Sequence, residues 1–368
     1  MDSQTVYILP ELGNKRVKVN AETASQLPSD LIGVVLSYII DLPRGERLDE
    51  LVQCSEKGKW VDGFRAILAY SRYEIQIYVW NQGCVSGNLD TCRWIQERIR
   101  IKHRDAVSGF RISCEHGQLD VAQWIAKTFR LTRRDVRSDD NSAFRYACQN
   151  GHLHVVKWLA RRFDLTEEDA KLEQCYALRW ACRNGHLHVA KWLTEMFDFT
   201  EEDANFDGST AFTRACHNGH LHVAQWLNET FALTGDDKTL INFALLSACS
   251  TGQLHVVQWL EGEFNLPAQI SKTFIHTIFI QVCQNGYLHV AQWMTKAFDI
   301  TRGDAVEWEN SALIGACYNG HLDVIQWLTE TFDLTQEDAT SQCCLALTYA
   351  HQEGHSHVVK WLKTRFRL

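Results

Sequence analysis

The residues of this chain with the clearest capacity for chemistry lie in a short phrase, CQNGHLHVVKWL at 148–159, which holds a cysteine, two histidines and a tryptophan. Cysteine and histidine at such spacing are typical zinc ligands, and a cysteine near a histidine also suits a catalytic thiol. The phrase returns with small changes at 182, 216, 249, 283 and 317. A group of residues written six times indicates a structural repeat, which must be explained before the chemistry.

The repeat has a nearly constant period. A glycine stands in each turn of the NGHL type, at intervals of 34 residues apart from one of 30 and one of 33. These glycines are Gly87, Gly117, Gly151, Gly185, Gly219, Gly252, Gly286, Gly320 and Gly354. A tryptophan follows seven residues after each glycine, and the apolar positions around it have helical spacing. Each unit therefore predicts two short helices that bury their apolar faces only by stacking on neighbours, which makes an all-α repeat solenoid.

The third unit resembles the ankyrin repeat, whose consensus runs T-P-L-H-x-A-A-x-x-G-H-L. Ser142-Ala143-Phe144-Arg145 stands at the first four positions, Ala147-Cys148 at the alanine pair and Gly151-His152-Leu153 at G-H-L. The resemblance covers residues 81–368 and implies a helix-turn-helix array of about nine repeats that binds a partner protein. The family's proline is missing, and a phenylalanine replaces the glycine after the second helix. This version of the repeat is similar to those of large DNA viruses and some protists.

A second phrase, Leu-Thr-x-x-Asp, stands where ankyrin repeats carry the tip of a β-hairpin. A threonine followed three residues later by an acidic residue is typical of a helix start. We therefore predict short helices or helical turns at these segments, with Thr166, Thr200 and Thr335 as N-caps. The acidic clusters at 167–169, 201–203 and 236–237 are predicted to line one edge of the array and could attract a basic partner.

Zinc binding by the repeated phrase is disfavoured on geometric grounds. Residues two apart on a helix point about 200° apart, so His152 and His154 are predicted not to share a metal. The cysteines are instead predicted to be small buried side chains, and the tryptophans to pack in the core. Nucleotide-binding, hydrolase and metalloprotease motifs are absent from the sequence. We expect no enzymatic activity, no cofactor and no metal.

Composition limits the remaining classes of function. The formal charge of −8 over 368 residues disfavours a general nucleic-acid partner. The N-terminal segment lacks the features of a signal peptide, and the longest apolar stretch, 31–40, is about half of a membrane span. Thirteen cysteines in a chain of this kind are interpreted as reduced thiols. A cytoplasmic protein is predicted, with the nucleus as the alternative and without a membrane partner.

Function is expected where the repeats differ from one another. The position two residues before the glycine varies, and there we predict partner contacts by Gln149, Arg183, His217 and Tyr318. Further candidates lie twelve or thirteen residues before the glycine, where some repeats carry an aromatic residue and others a polar one. These aromatic candidates are Phe206, Phe274 and Trp308. Aromatic side chains among polar neighbours are typical anchors of protein interfaces, although packing under the repeat tips would explain them equally well.

Residues 1–80 lie outside the repeats. Residues 6–9 and 16–19 predict two strands around a Gly13-Asn14 turn. The stretch LPSDLIGVVLSYI at 27–39 is similar to the opening of an F-box, while the strand pair followed by residues 19–24 is similar to the start of a BTB or Skp-type domain. Either resemblance implies Skp-type or cullin partners and a role as substrate adaptor of a ubiquitin ligase. The favoured alternative is a cap over the first repeat, since repeat arrays require caps.

The ninth repeat is predicted to cap the other end of the array. Lys360, Lys363, Arg365 and Arg367 crowd its second helix, as expected where one face meets water. Trp361 and Phe366 are predicted to face inward.

Overall fold

The computed structural model describes residues 6–8, 18–20, 73–204, 211–231, 238–266 and 270–368. It forms two compact units, Met1–Leu172 and Glu173–Leu368. Within each unit, pairs of antiparallel helices follow the repeat seen in the sequence, so the predicted all-α repeat solenoid is confirmed. In the described part of the chain, no helix is long and apolar enough to cross a membrane.

The first unit begins with two short strands, β1 (Val6–Ile8) and β2 (Lys18–Asn20), which pair antiparallel with Tyr7 opposite Val19. The predicted strand pair is thus confirmed, and the turn predicted between its strands lies outside the described residues. The helices of this unit are α1 (Tyr73–Ser86), α2 (Leu89–Arg98), α3 (His103–Glu115), α4 (Leu119–Thr128), α5 (Arg133–Val136), α6 (Ser138–Gln149), α7 (Leu153–Arg162) and α8 (Glu167–Ala170).

The second unit continues the same alternation of first and second helices. Its helices are α9 (Leu172–Arg183), α10 (Leu187–Phe197), α11 (Glu201–Ala204), α12 (Ala211–His217), α13 (Leu221–Phe231), α14 (Lys238–Ser250), α15 (Leu254–Phe264), α16 (Lys272–Gln284), α17 (Leu288–Ala297), α18 (Arg302–Tyr318), α19 (Leu322–Thr331), α20 (Gln336–Gln352) and α21 (Ser356–Phe366). Leu172 belongs to the first unit, and three residues with left-handed backbone separate it from the regular part of α9.

Each Thr-x-x-Asp segment within the described residues starts a helix, as predicted. The Asp169 carboxylate accepts hydrogen bonds from the backbone N–H of Thr166 at 2.9 Å and from its hydroxyl at 3.0 Å. Thr200 and Thr335 pair in the same way with Asp203 and Asp338. This capping box gives the exposed N–H groups of a helix start their acceptors. In the repeats that the structure describes, helical turns therefore replace the hairpin tips of ordinary ankyrin repeats.

A left-handed turn of three residues precedes several first helices. Asp139, Asp140 and Asn141 have φ angles of 52°, 54° and 62°, and residues 173–175 repeat the turn. Consecutive left-handed residues other than glycine are strained, so neighbouring contacts must hold them. The third residue supplies one such contact, because Asn141 Nδ2 donates to the carbonyl of Asp169 at 3.2 Å. This bond joins the turn to the capping box of the next repeat.

Aromatic rings form the core between repeats. Phe110 on α3 lies 6.1 Å from Trp158 and 5.9 Å from Phe163, which both belong to the next repeat, and Trp158 lies 5.7 Å from Phe163. In the second unit, Phe279 on α16 lies 6.3 Å from Trp327. The rings meet edge to face or tilted, the arrangement that aromatic pairs prefer. The tryptophans are half-buried while Phe110 is 1% exposed, so the predicted packing role of the tryptophan column is confirmed.

The ninth repeat is folded, and Phe366 faces inward as predicted. Phe366 is 3% exposed and its ring centroid lies 6.0 Å from that of Trp361. Lys360, Lys363 and Arg365 are exposed.

The aromatic contacts predict a large loss of stability from one truncation. Phe279→Ala should lower the free energy of unfolding by about 3–5 kcal/mol, because it opens a cavity against Trp327 and Phe332. The matched control is Phe243→Ala, which removes the same atoms from a side chain that is 52% exposed and should change stability by less than ~1 kcal/mol. Urea unfolding of both variants measures the difference, and equal losses would contradict the packing role.

Candidate functional site

The cysteines of the repeated phrase are not placed for chemistry. Cys148, Cys182 and Cys317 are 0% exposed on the inner side of the first helices. Burial raises the pKa of the Cys148 thiol and raises the pKa of Cys317 to about 12. A neutral, buried thiol is neither a nucleophile nor a metal ligand. These cysteines fill the core as small apolar side chains, as predicted.

The two histidines of the phrase join neighbouring repeats. The ring of His152 lies against Gly117 of the preceding repeat, where an added Cβ atom would approach Nδ1 to 2.6 Å. His154 Nε2 donates to the carbonyl oxygen of the same glycine at 2.9 Å. In the second unit, His220 and His222 make the corresponding contacts to Gly185, with a hydrogen bond of 3.1 Å. The glycine is therefore required both for its positive φ and for the ring that lies on it.

His152 and His154 lie closer together than was predicted for two residues within one helix. His152 is the N-cap of α7 and lies outside the helix, so its ring centroid lies only 6.2 Å from that of His154. Both rings are occupied by contacts to the preceding repeat. Among the described residues, no group of three or more histidine, cysteine or acidic side chains is arranged to hold a metal ion. The absence of zinc stays a prediction, which metal analysis of protein purified without chelator would test.

Part of the acidic edge that the sequence predicted, at 167–169, is buried in ion pairs within the fold. Glu167 and Glu168 are exposed, but the Asp169 side chain is 0% exposed and forms ion pairs with Arg133 at 2.9 Å and Arg137 at 2.6 Å. The expectation that all three residues form an attractive edge is therefore corrected, because the capping box draws Asp169 inward. The cluster at 236–237 lies outside the described residues.

Asp304 occupies the same position in the eighth repeat. Lys272 and His276 of the preceding repeat contact its carboxylate at 2.6 and 3.0 Å. Burial alone would raise the pKa of Asp304, but the hydrogen bonds from Lys272 and Thr301 and the charge of His276 lower it to about 2. Asp169 and Asp304 thus join repeats, and their charges are paired with cations of the preceding repeat.

The predicted partner residues occupy different environments. Gln149 is half-buried at the end of α6, and Phe274 is half-buried in the first turn of α16. Tyr318 is 45% exposed, with its ring 5.6 Å from that of Tyr349. Phe206 lies outside the described residues, and Trp308 lies on α18 with a side chain that is likewise outside them.

Arg183 and His217 are brought together on the second unit, on the first helices of adjacent repeats. Arg179 lies one helical turn before Arg183 on α9, and Arg214 lies about one turn before His217 on α12. The pKa of Arg214 is lowered by burial and then by the charges of Arg183 and Arg179. The pKa of His217 is lowered by burial and then by Arg183 and Arg214. The guanidinium carbon of Arg183 lies 4.2 Å from the ring centroid of Trp180. We call Tyr176, Arg179, Trp180, Arg183, Arg214 and His217 the arginine–aromatic cluster.

Sequence reasoning missed four members of this cluster and Phe243, which is 52% exposed on α14. The predicted contacts lay only at the position two before the glycine and at the repeat tips. The missed residues lie five, six and nine positions before the glycine, on the same face of the first helix as the variable position two before it. Comparing these additional positions between repeats would have found them.

The first unit contains a cleft of a different kind. It has a volume of about 650 Å³ and lies between the second helices of the second and third repeats. Its lining consists of Gln123, Ala126, Lys127, Arg130, Leu131, Trp158 and Arg162. The cleft is an open groove beside the tryptophan column, and its residues serve the packing between these repeats.

Comparison with known proteins agrees with the repeat architecture. A family model described as ankyrin repeats (3 copies) matches residues 178–270 and 278–366, and a model described as ankyrin repeats (many copies) matches 110–160. Together these matches span more than half of the chain, which belongs to the ankyrin repeat family. Among curated proteins none matches the chain.

The chain is also similar to solved structures. One of them is an ankyrin repeat family protein from Legionella pneumophila, 17% identical, with a TM-score of 0.26. The alignment covers 89% of this chain and 95% of that one.

The histidines that join repeats predict a loss of stability in mild acid. The pKa of His152 is lowered by burial and by His154, and that of His220 by burial and by His222. Because the unfolded chain then binds more protons than the folded one near and below the ordinary histidine pKa of about 6.5, stability should fall as the pH decreases from about 7.5 to about 5.5. Thermal unfolding across this range measures the decrease.

A double substitution tests the assignment to these two histidines. The array itself uses glutamine at the same position, since Gln118 Nε2 donates to the carbonyl of Val85 at 3.0 Å. His152→Gln with His220→Gln should therefore match the wild type at about pH 7.5 and lose less stability at about pH 5.5. Equal losses in both proteins would rule these histidines out as the cause.

Proposed function

We propose that this chain is a non-enzymatic scaffold that binds a partner protein through the first helices of its ankyrin array. Membership of the ankyrin repeat family supports a role in protein–protein interaction. The observation that carries the proposal is the pair of large side chains exposed on first helices, Phe243 at 52% and Tyr318 at 45%. Exposed aromatic residues on a rigid surface are typical anchors of protein interfaces.

Residues that recur from repeat to repeat and residues that vary between repeats lie in different parts of the fold, which supports the same proposal. Residues that recur in every repeat are buried or joined to the next repeat, as Cys148 and His154 illustrate. Positions that vary lie on the first helices, where Arg183, His217 and Tyr318 carry unlike side chains. Rigid repeats with a variable surface are the general means by which solenoid proteins select their partners. The proposed compartment is the cytoplasm, with the nucleus as the alternative.

The alternative proposal is a substrate adaptor of a cullin-type ubiquitin ligase, in which the array selects the target and residues 1–80 contact the ligase. It is supported by the F-box-like stretch at 27–39 and by the antiparallel pair of β1 and β2, which is similar to the start of a BTB or Skp-type domain. The division into residues 1–80 and 81–368 belongs to this proposal. A capping role for residues 1–80 remains the favoured interpretation.

Site-specific photo-crosslinking tests the scaffold proposal. A benzophenone amino acid placed at Tyr318 or Phe243 of the full-length protein should crosslink one and the same partner protein in cells. The matched control is Met196, which is 54% exposed on the second helix α10 and should give no such product. Crosslinks of equal yield from Met196, or different proteins at Tyr318 and Phe243, would contradict the proposed surface.

Affinity purification separates the two proposals. If residues 1–80 recruit a ligase, Skp-type or cullin proteins should purify with the full-length chain and be lost in Leu31→Asp, which places a charge in the F-box-like stretch. Under the capping proposal no ligase component is expected with either protein. Retention of the crosslinked partner by the variant provides the control that the array is still folded.

A further inference from the structure

The arginine–aromatic cluster concentrates positive charge that no carboxylate from the described part of the chain neutralises. Arg179, Arg183 and Arg214 form no ion pair with any acidic side chain among the described residues, although Arg214 is exposed and the other two are half-buried. Arg179 Nη2 donates only to the backbone carbonyl of Glu173, at 3.4 Å. Arginines elsewhere in the fold do find acids, as Arg133 and Arg302 do. The cluster thus differs from the arginines that join repeats.

One nitrogen atom of the cluster is buried without a hydrogen-bond acceptor from the residues that the structure describes. Arg179 Nε is buried and has no hydrogen-bond acceptor among the described residues. A buried donor without an acceptor costs free energy, which a ligand that supplies an acceptor can recover. Arg183 and Arg214 carry like charges and repel each other. The pKa of His217 is lowered first by burial and then by these two positive charges. A bound anion would remove the repulsion and supply acceptors to the guanidinium groups.

The aromatic residues hold the arginine side chains in position. Trp180 stacks on Tyr176 with ring centroids 5.1 Å apart and an angle of 25°, and Arg183 lies on Trp180 at 4.2 Å. Tyr176 is one helical turn before Trp180 and Arg183 is one turn after it, so the indole has a neighbour on either side along the helix. A guanidinium held in this way loses less entropy on binding an anion.

The surroundings favour a short acidic peptide over a nucleic acid. Trp180 is not presented as a free surface for base stacking, because its neighbours along the helix already contact it. The exposed Glu173 on α9 would repel a long polyanion that ran past the repeat tip.

We propose that the arginine–aromatic cluster of the second unit binds an acidic segment of a partner protein, with Arg179, Arg183 and Arg214 as the anion-binding residues. Carboxylate and phosphate side chains share the required chemistry, since both accept paired hydrogen bonds from a guanidinium group. The inference rests on the proposed scaffold function and names the chemistry of its partner. Phe243, on the next first helix, would contact apolar residues beside the acidic ones.

Fluorescence anisotropy of the full-length protein with labelled peptides tests the proposal. The probes are an alternating Glu-Ala peptide of about 12 residues, a phosphoserine-Ala peptide of the same length, and an oligouridylate of similar length, each labelled with fluorescein. At least one peptide should bind, and added salt should weaken binding. Tighter binding of the carboxylate or of the phosphate peptide identifies the preferred source of negative charge.

Two variants with the same change in charge complete the test. Arg183→Glu with Arg214→Glu should reduce the affinity for the bound peptide at least ~10-fold. Lys360→Glu with Lys363→Glu, on the exposed side of α21, should change it less than ~2-fold. Equal melting temperatures would show that both variants are folded.

Three outcomes would overturn the proposal: binding of neither peptide, tighter binding of the oligouridylate than of either peptide, or an equal loss in both variants. Crosslinking from Tyr318 is independent of these arginines. A failed peptide experiment with intact crosslinking would therefore reject the acidic partner and leave the scaffold proposal standing.

Discussion

Each repeat depends on its neighbour for the burial of two aromatic rings. The tryptophan and phenylalanine of a second helix, such as Trp158 and Phe163, project beyond their own helix pair, and Phe110 of the preceding repeat covers them at about 6 Å. Burying side chains of this size contributes a few kcal/mol each. One repeat alone exposes these rings and is unstable, so stacking is a condition of folding and not a later assembly step.

Stacking of the repeats brings backbone carbonyl groups of one repeat close to polar side chains of its neighbour. These side chains donate hydrogen bonds to the carbonyl groups. His154 donates to the carbonyl of Gly117, and Asn141 donates to the carbonyl of Asp169, each bond joining two repeats. The Asp169 carboxylate is buried against Arg133 and Arg137 at the same junction. Because these groups are occupied, residues that look like metal ligands or a charged edge in the sequence have structural roles in the fold.

The sequence predicted most of the fold because a period of 34 residues repeats every local preference many times. The capping threonines Thr166, Thr200 and Thr335 could be predicted for the same reason, since their pairing with an acid is local. The mutual position of His152 and His154 could not, because it depends on His152 preceding the helix rather than lying within it. The arginine–aromatic cluster could not be predicted either, because its members come from two repeats and become neighbours only when the repeats stack.

The same stacking that fixes the core explains where a partner is expected to bind. A first helix turns one face toward the core. On the other face, many of the residues two, five, six or nine positions before the glycine are half-buried or exposed and differ between repeats, as Arg183, Arg214 and Phe243 do. Phe243 and Tyr318 expose large rings there, and Arg179, Arg183 and Arg214 place like charges together without an acid from the described part of the chain. Such repulsion lowers the stability of the free protein, and a partner that brings negative charge removes it on binding. The relief of this repulsion then contributes to the binding free energy. The free protein tolerates the repulsion because its aromatic core is stable.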